Sequence, residues 1–271
     1  ISKTEDLFKL KGTKYVQSRI GKSYAYVREA LLKGKKVLFS GTPCQVAGLK
    51  AYLGEDYENL LSIDLICHGV PSPAVWKRYL NECFGEDNVS AMQFRNKRKG
   101  ISKVTMDYTL KSGEVIHESY NESLYIKGFI GNFYTRPSCF RCNFKGIGRC
   151  SDITIGDFWS AREFHSEMND SYGISGIIVH TEKGKRWLES VKNQLILCDA
   201  QASEIAVWNE CLLESVKENQ YRRMFFEGWT QLTVAETISE LSKRKKSMES
   251  NNKKKRKFQN WIAGTIKKWL V

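Results

Sequence analysis

The chain has 271 residues, 41% hydrophobic and 27% charged. It can bury a full core as one large domain or two small ones, and its composition is that of a soluble globular protein. Its net charge of +13 does not mark a genome-binding protein, because residues 243–271 hold eleven Lys or Arg and one Glu and the other 242 residues carry only +3. No stretch approaches the roughly 18 unbroken apolar residues of a membrane span. No signal peptide precedes Ile1, so a cytoplasmic location is expected, and a start at Ile rather than Met suggests a fragment with an N-terminal part missing. Eight cysteines without a signal peptide do not make a secreted disulfide framework.

In chain order, residues 24–34 read as a helix closed by Gly34, and Val37-Leu38-Phe39 as a short buried strand. A helix from Pro43 to about Leu53, a strand from Leu60 to Ile66 and a helix from Pro73 to Phe84 follow. This alternation predicts a parallel sheet with covering helices. Val104, Met106, Tyr108 and Leu110 alternate with polar residues ahead of Ser112-Gly113, which predicts a β-hairpin with one wet face. Residues 121–135 are aromatic-rich and expected to be helical. A cysteine-bearing loop spans 136–151, strands are expected at 152–159 and 175–180, and helices at 183–195 and 203–219. The predicted fold is thus α/β: a mainly parallel sheet with covering helices, a β-hairpin insertion and a cysteine-rich cluster loop. Its parts are an N-terminal α/β part (1–90), a continuation of the same catalytic module (91–240) and a basic amphipathic tail (241–271).

In that tail, Phe258, Trp261, Ile262, Ile266, Trp269 and Leu270 share one helical face behind a charge run. Such a helix suits peripheral docking on an anionic inner-membrane surface, or packing onto this fold or a partner complex; the second is the commoner use.

Five cysteines occupy suggestive places. Thr42 is a good N-cap, Pro43 suits the first helical position and Gln45 completes a capping box, so Cys44 falls in the first turn, where amides and the helix dipole favour a thiolate. Cys67 follows the second strand, so both cysteines leave the carboxyl edge of the sheet, where open parallel sheets bind ligands. Cys139 and Cys142 form a CxxC pair, a motif shared by zinc sites, iron–sulfur sites and redox dithiols. Two single thiols plus one CxxC, with no second CxxC or His pair, fit a four-cysteine iron–sulfur cluster better than structural zinc. Arg136, Arg141, Lys145 and Arg149 would offset its negative charge. Cys150 is a spare, alternative or buried thiol, and Cys83, Cys198 and Cys211 read as space-filling residues without partners.

Four blocks, Gly41-Thr42-Pro43-Cys44-Gln45, residues Asp64 to Pro73, Ser138-Cys139-Phe140-Arg141-Cys142 and residues Ser151 to Trp159, occur together and in order. The set resembles the beta subunit of the coenzyme F420 hydrogenase/dehydrogenase family over roughly residues 13–230. The resemblance implies FAD and a 4Fe–4S cluster, the latter on Cys44, Cys67, Cys139 and Cys142. It implies electron relay between them, a ferredoxin-like donor or acceptor and a small-molecule substrate. No GxGxxG is present, so the flavin comes from the resemblance alone. Gly41, Thr42, Gln45, Gly69 and Val70 are candidate flavin contacts because small residues and free amides allow close approach; Arg149, Asp152 and Asp157 complete that set. Three departures stand out: no ferredoxin-like cysteine run is present, Ile101 follows the Phe94–Gly100 block where the family usually has Trp, and Cys150 lies beside Arg149.

The expected function is therefore that of a flavin-dependent iron–sulfur oxidoreductase. One alternative is a non-enzymatic partner or scaffold with a structural cluster, associated with polysaccharide biosynthesis as similar bacterial chains are. Another makes Cys44 a nucleophile with His68 as its base.

Overall fold

The computed structural model describes residues 1–248 apart from 2, 11, 169 and 246. The amphipathic helix expected at 258–270 and most of the preceding charge run lie outside the described residues. Among the described residues no helix is long and apolar enough to cross a membrane.

Helix α1 (Ser23–Leu32) ends at Gly34, whose φ of +71° few other residues tolerate, and the chain turns into β1 (Val37–Gly41). Then come α2 (Pro43–Leu53), β2 (Leu60–Leu65) and α3 (Pro73–Phe84). Both α2 and α3 start on a capping residue followed by proline and stop at a glycine, Gly54 or Gly85, with positive φ. Strands β3 (Val89–Asn96), β4 (Thr105–Leu110) and β5 (Val115–Ser119) precede α4 (Leu124–Ile130). The chain continues through β6 (Ile153–Asp157), α5 (Ala161–Phe164), β7 (Ser175–Val179) and α6 (Glu182–Val191). Short helices α7 (Ala202–Ala206), α8 (Glu210–Leu213) and α9 (Arg222–Glu227) lead to α10, over 234–245.

The main sheet has the order β1-β2-β6-β7, with β1, β2 and β6 parallel and β7 antiparallel at the edge. Pairing runs from Val37↔Leu60 to Gly41↔Asp64 and from Ile63↔Ile153 to Leu65↔Ile155, so the carboxyl ends of three strands lie side by side. The loops carrying Cys44 and Cys67 leave from this edge. Asp152, fully buried, ties the sheet together. Its Oδ2 accepts from the Ser62 amide (2.8 Å) and hydroxyl (2.6 Å), and its Oδ1 from Thr181 (2.7 Å), with Lys183 Nζ at 3.6 Å.

The hairpin expected near 104–116 is the β4–β5 half of a three-stranded antiparallel sheet, with β3 as its irregular third member. Its buried face, α3, α4, α9 and α10 share an aromatic core containing Tyr79, Phe94, Tyr108, Tyr125, Phe133 and Phe225. Three expected helices are shorter than predicted. The 121–135 segment is helical only through α4, and Asn132 at φ +59° redirects the chain. The helix expected at 183–195 ends at Val191, followed by a 3-10 turn. The 203–219 segment breaks into α7 and α8 around Trp208 at φ +61°, because a left-handed residue cannot continue a right-handed helix.

Candidate metal centre

At the end of β1 the Thr42 amide donates to Gln45 Oε1 (3.0 Å), and Gln45 Nε2 donates to Ser18 Oγ (2.8 Å). The first turn of α2 is thereby fixed, with Cys44 exposed and its Sγ 3.2 Å from Thr42 Oγ1. At the end of β2, Cys67 begins a loop that runs alongside 135–139. Pro71 and Thr135 form a bridge, and the Arg136 amide donates to the Val70 carbonyl at 2.9 Å. Within this loop the Gly69 backbone acts to lower the Cys67 thiol and the Val70 backbone the Cys139 thiol, each against the effect of burial. Gly69 has φ +151°, and a Cβ there would stand 2.9 Å from Thr135 Cγ2 and 3.3 Å from Cys139 Cβ. Glycine is what lets the two cysteine loops close on each other. Cys139 lies in the 3-10 turn Pro137–Arg141, and the Cys142 amide just beyond it donates to Ser215 Oγ (2.9 Å).

The four thiols are electrostatic neighbours: Cys67 feels Cys139 and Cys44, and Cys139 feels Cys142 and Cys44. Burial pushes the Cys67 thiol up to about 12, against the opposing charge of Lys145. Burial also raises Cys139, opposed by the Val70 amide. Yet no three of these sulfurs lie within 4.8 Å of one another. Thiolates around one tetrahedral zinc, at about 2.3 Å from the ion, would stand about 3.8 Å apart. The sulfurs as placed are thus not drawn together as around a single zinc ion. Four cysteine thiols are the donor type that an iron–sulfur cluster uses, so the chemistry of this donor set fits that group.

Lys145, one of the four cations expected to balance charge, donates to the carbonyls of Cys67 and Cys211. Arg136 acts on Cys139. Arg149 instead forms a buried ion pair with Asp64 (3.2 Å) and bonds the Leu65 carbonyl. Cys150 faces Lys50, Asp64 and Arg149.

Two cysteines read as having no partner do have one. Cys211 Sγ lies 3.4 Å from His68 Nδ1, and Cys198 lies near His165 and Glu167. No local pattern announces either, since both partners are distant in sequence. The other ring nitrogen of His68 meets Asn132 Oδ1 (2.9 Å), and burial lowers its pKa. His68 is therefore placed against Asn132 and Cys211.

The residues expected to touch FAD are committed within the protein. The backbone at Gly69 and Val70 acts on the Cys67 and Cys139 thiols, Gly41 packs against Gln45, and Gln45 accepts from the Thr42 amide. Asp152 is enclosed by Ser62, Thr181 and Lys183, and Arg149 by Asp64. Asp157, at the end of β6, pairs with Arg95, which lies over the exposed Trp159 ring, 5.1 Å from its centroid. The side chains of Gln45, Arg149, Asp152 and Asp157 are thus each engaged by protein partners.

A mostly parallel sheet with Cys44 and Cys67 on loops at its carboxyl edge, and the CxxC turn bridged to one of those loops, defines an α/β protein with a candidate cysteine site. The chain belongs to the coenzyme F420 hydrogenase/dehydrogenase beta subunit family, and residues 34–204 match the model of that subunit's C terminus. Membership makes it an oxidoreductase-related protein. Among curated proteins no significant match exists. Among solved structures, the chain is similar to one from the xenon-derivatized F420-reducing NiFe hydrogenase complex of Methanosarcina barkeri, at 16% identity and a TM-score of 0.44, covering 77% of this chain and 67% of that one.

Proposed function

We propose that this protein is the iron–sulfur-binding, electron-transferring part of an oxidoreductase, with a 4Fe–4S cluster held by Cys44, Cys67, Cys139 and Cys142. The observation that carries the reading is the closure of the 67–71 loop on 135–139 through the Pro71–Thr135 bridge and Gly69, which sets Cys139 beside the loop that Cys67 begins. When bound, such a cluster supplies reversible one-electron transfer. The chain's own part is to set its surroundings. The Gly69 and Val70 amides and the Lys145 charge offset negative charge on the sulfurs, which raises a cluster's potential. Cys44, the exposed member of the set, marks the side from which a ferredoxin-like carrier would approach.

The committed polar groups of the expected flavin shell favour a second reading, a non-enzymatic partner whose cluster is structural. Anaerobic purification with iron, sulfide and flavin analysis tests the first reading. About four irons per chain, lost in Cys142→Ser, are expected if four cysteines hold one cluster. Zinc or no metal in the wild-type chain would overturn it. Tightly bound flavin reducible by an organic donor would eliminate the partner reading.

A further inference from the structure

A second group of ligating side chains uses none of the four cysteines. One ring nitrogen of His165, a carboxylate oxygen of Glu167 and Cys198 Sγ lie within 4.8 Å of one another. His165 Nδ1 is the nitrogen on the Glu167 side, 3.6 Å from Oε1. Nε2 meets Glu204 Oε2 at 3.2 Å, and that same oxygen accepts the Gln201 amide at 2.8 Å. Glu204 is thus fixed at the start of α7 and orients the imidazole, and the Phe158 ring packs edge-on against it with centroids 5.7 Å apart. A histidine that gives one nitrogen to a carboxylate, with a second carboxylate on its other nitrogen and a thiol within the same group, is in the arrangement that metal-bound histidines use.

The geometry points to a binding site for one zinc-type divalent cation on His165, Glu167 and Cys198, with Glu204 as the positioning residue. The nitrogen, oxygen and sulfur mixture suits a borderline-soft ion, and three protein ligands leave the fourth tetrahedral position to water. Ligands at about 2.0–2.3 Å from zinc stand closer together than the present donors. The side chain of Glu167, 66% exposed, is free to close that gap, and Cys198 is exposed too. Binding releases the Cys198 thiol proton to solvent as the sulfur–metal bond forms. The ion would staple the turn after α5 to the 195–201 loop, where Leu195, Ile196 and Leu197 are all exposed.

The test uses the full chain, incubated with zinc sulfate and freed of loose metal by gel filtration. Zinc is counted by mass spectrometry and its ligands are read by X-ray absorption. One zinc per chain with one sulfur in a mainly nitrogen and oxygen shell is expected. Cys198→Ser and His165→Gln should remove that zinc and leave iron content unchanged. Glu204→Gln should weaken zinc binding about 10- to 100-fold without changing the shell. No retained zinc, an all-sulfur shell, or zinc that survives Cys198→Ser would overturn the proposal. A chain that carries no iron still tests it, because the sulfur count separates this site from the four-cysteine frame.

Discussion

Gly69→Ala is a sharp perturbation of the cysteine frame, because it adds one methyl group and removes no ligand. The added Cβ would stand 2.9 Å from Thr135 Cγ2 and 3.3 Å from Cys139 Cβ, on a residue at φ +151° that side-chain-bearing residues rarely adopt. Holding such a backbone costs about 1–3 kcal/mol. The least costly relief is to separate the 67–71 loop from 135–139, and that motion carries Cys139 away from Cys67. If the whole strain falls on the closed frame, cluster affinity drops roughly 5- to 150-fold. The assay is iron retention during timed exposure to a chelator, with wild type and variant side by side. A second variant separates clash from backbone strain. Thr135→Ser removes the methyl in the way yet keeps the hydroxyl that donates to Asn132 Oδ1 at 3.1 Å, so Gly69→Ala/Thr135→Ser should regain part of the loss. Equal iron retention in Gly69→Ala and wild type would refute the reasoning that this glycine sets the spacing of the two thiols.

Three further outcomes follow from the same geometry. Cys142→Ser should lose iron while Cys150→Ser, which faces Lys50, Asp64 and Arg149, should keep it; iron analysis of the two variants decides. Lys145→Met strips a charged donor from the carbonyls of Cys67 and Cys211. At about 1.5–3 kcal/mol per such bond, the melting temperature should fall, and a redox titration should show a lower cluster potential. Asp152 supplies a pH dependence: burial alone would raise its carboxyl, but hydrogen bonds from Ser62 and Thr181 and the Lys183 charge hold it below the usual range. Its stabilisation is present above the unfolded value of about 3.9 and is lost as pH falls through the lower folded value. Asp152→Asn should cost about 2–4 kcal/mol near neutrality and flatten the acid limb of urea midpoints measured against pH, and an unchanged limb would remove Asp152 as its source.

The parts of the fold legible in the sequence are those that local chemistry decides. Thr42-Pro43 and Ser72-Pro73 start α2 and α3, and Gly54 and Gly85 stop them, so both helices fall where the pattern predicts. Leu60 to Leu65 reads as a strand because it is buried on nearly all sides between two parallel neighbours. Strand β3 has no such signature. Ser90 and Ala91 are exposed, its pairing with β4 slips at two places, and its end runs into a basic segment. The failed 203–219 helix shows the opposite error. Ile205, Leu212 and Val216 are all buried, as one helical face would be. The break at Trp208 depends on contacts made elsewhere: Asn209 Nδ2 donates to the Asp157 carbonyl at 2.7 Å, and the Trp208 ring N–H to Glu163 at 3.0 Å.

The site divides along the same line. That Cys44 and Cys67 share an edge follows from parallel strands, which local pattern predicts. That Cys139 reaches them depends on the Pro71–Thr135 bridge, a pairing across more than sixty residues with no turn or periodicity to announce it. The same loop gives the small residues at 69 and 70 a role within the protein. Small residues and exposed amides signal a close approach, and the family resemblance assigns that approach to a flavin. In the structure the backbone at Gly69 and Val70 acts on the Cys67 and Cys139 thiols. A glycine that admits a ligand and a glycine that admits a neighbouring loop look identical in one dimension, and only the residue on the far side, here Thr135 with Cys139 behind it, distinguishes them.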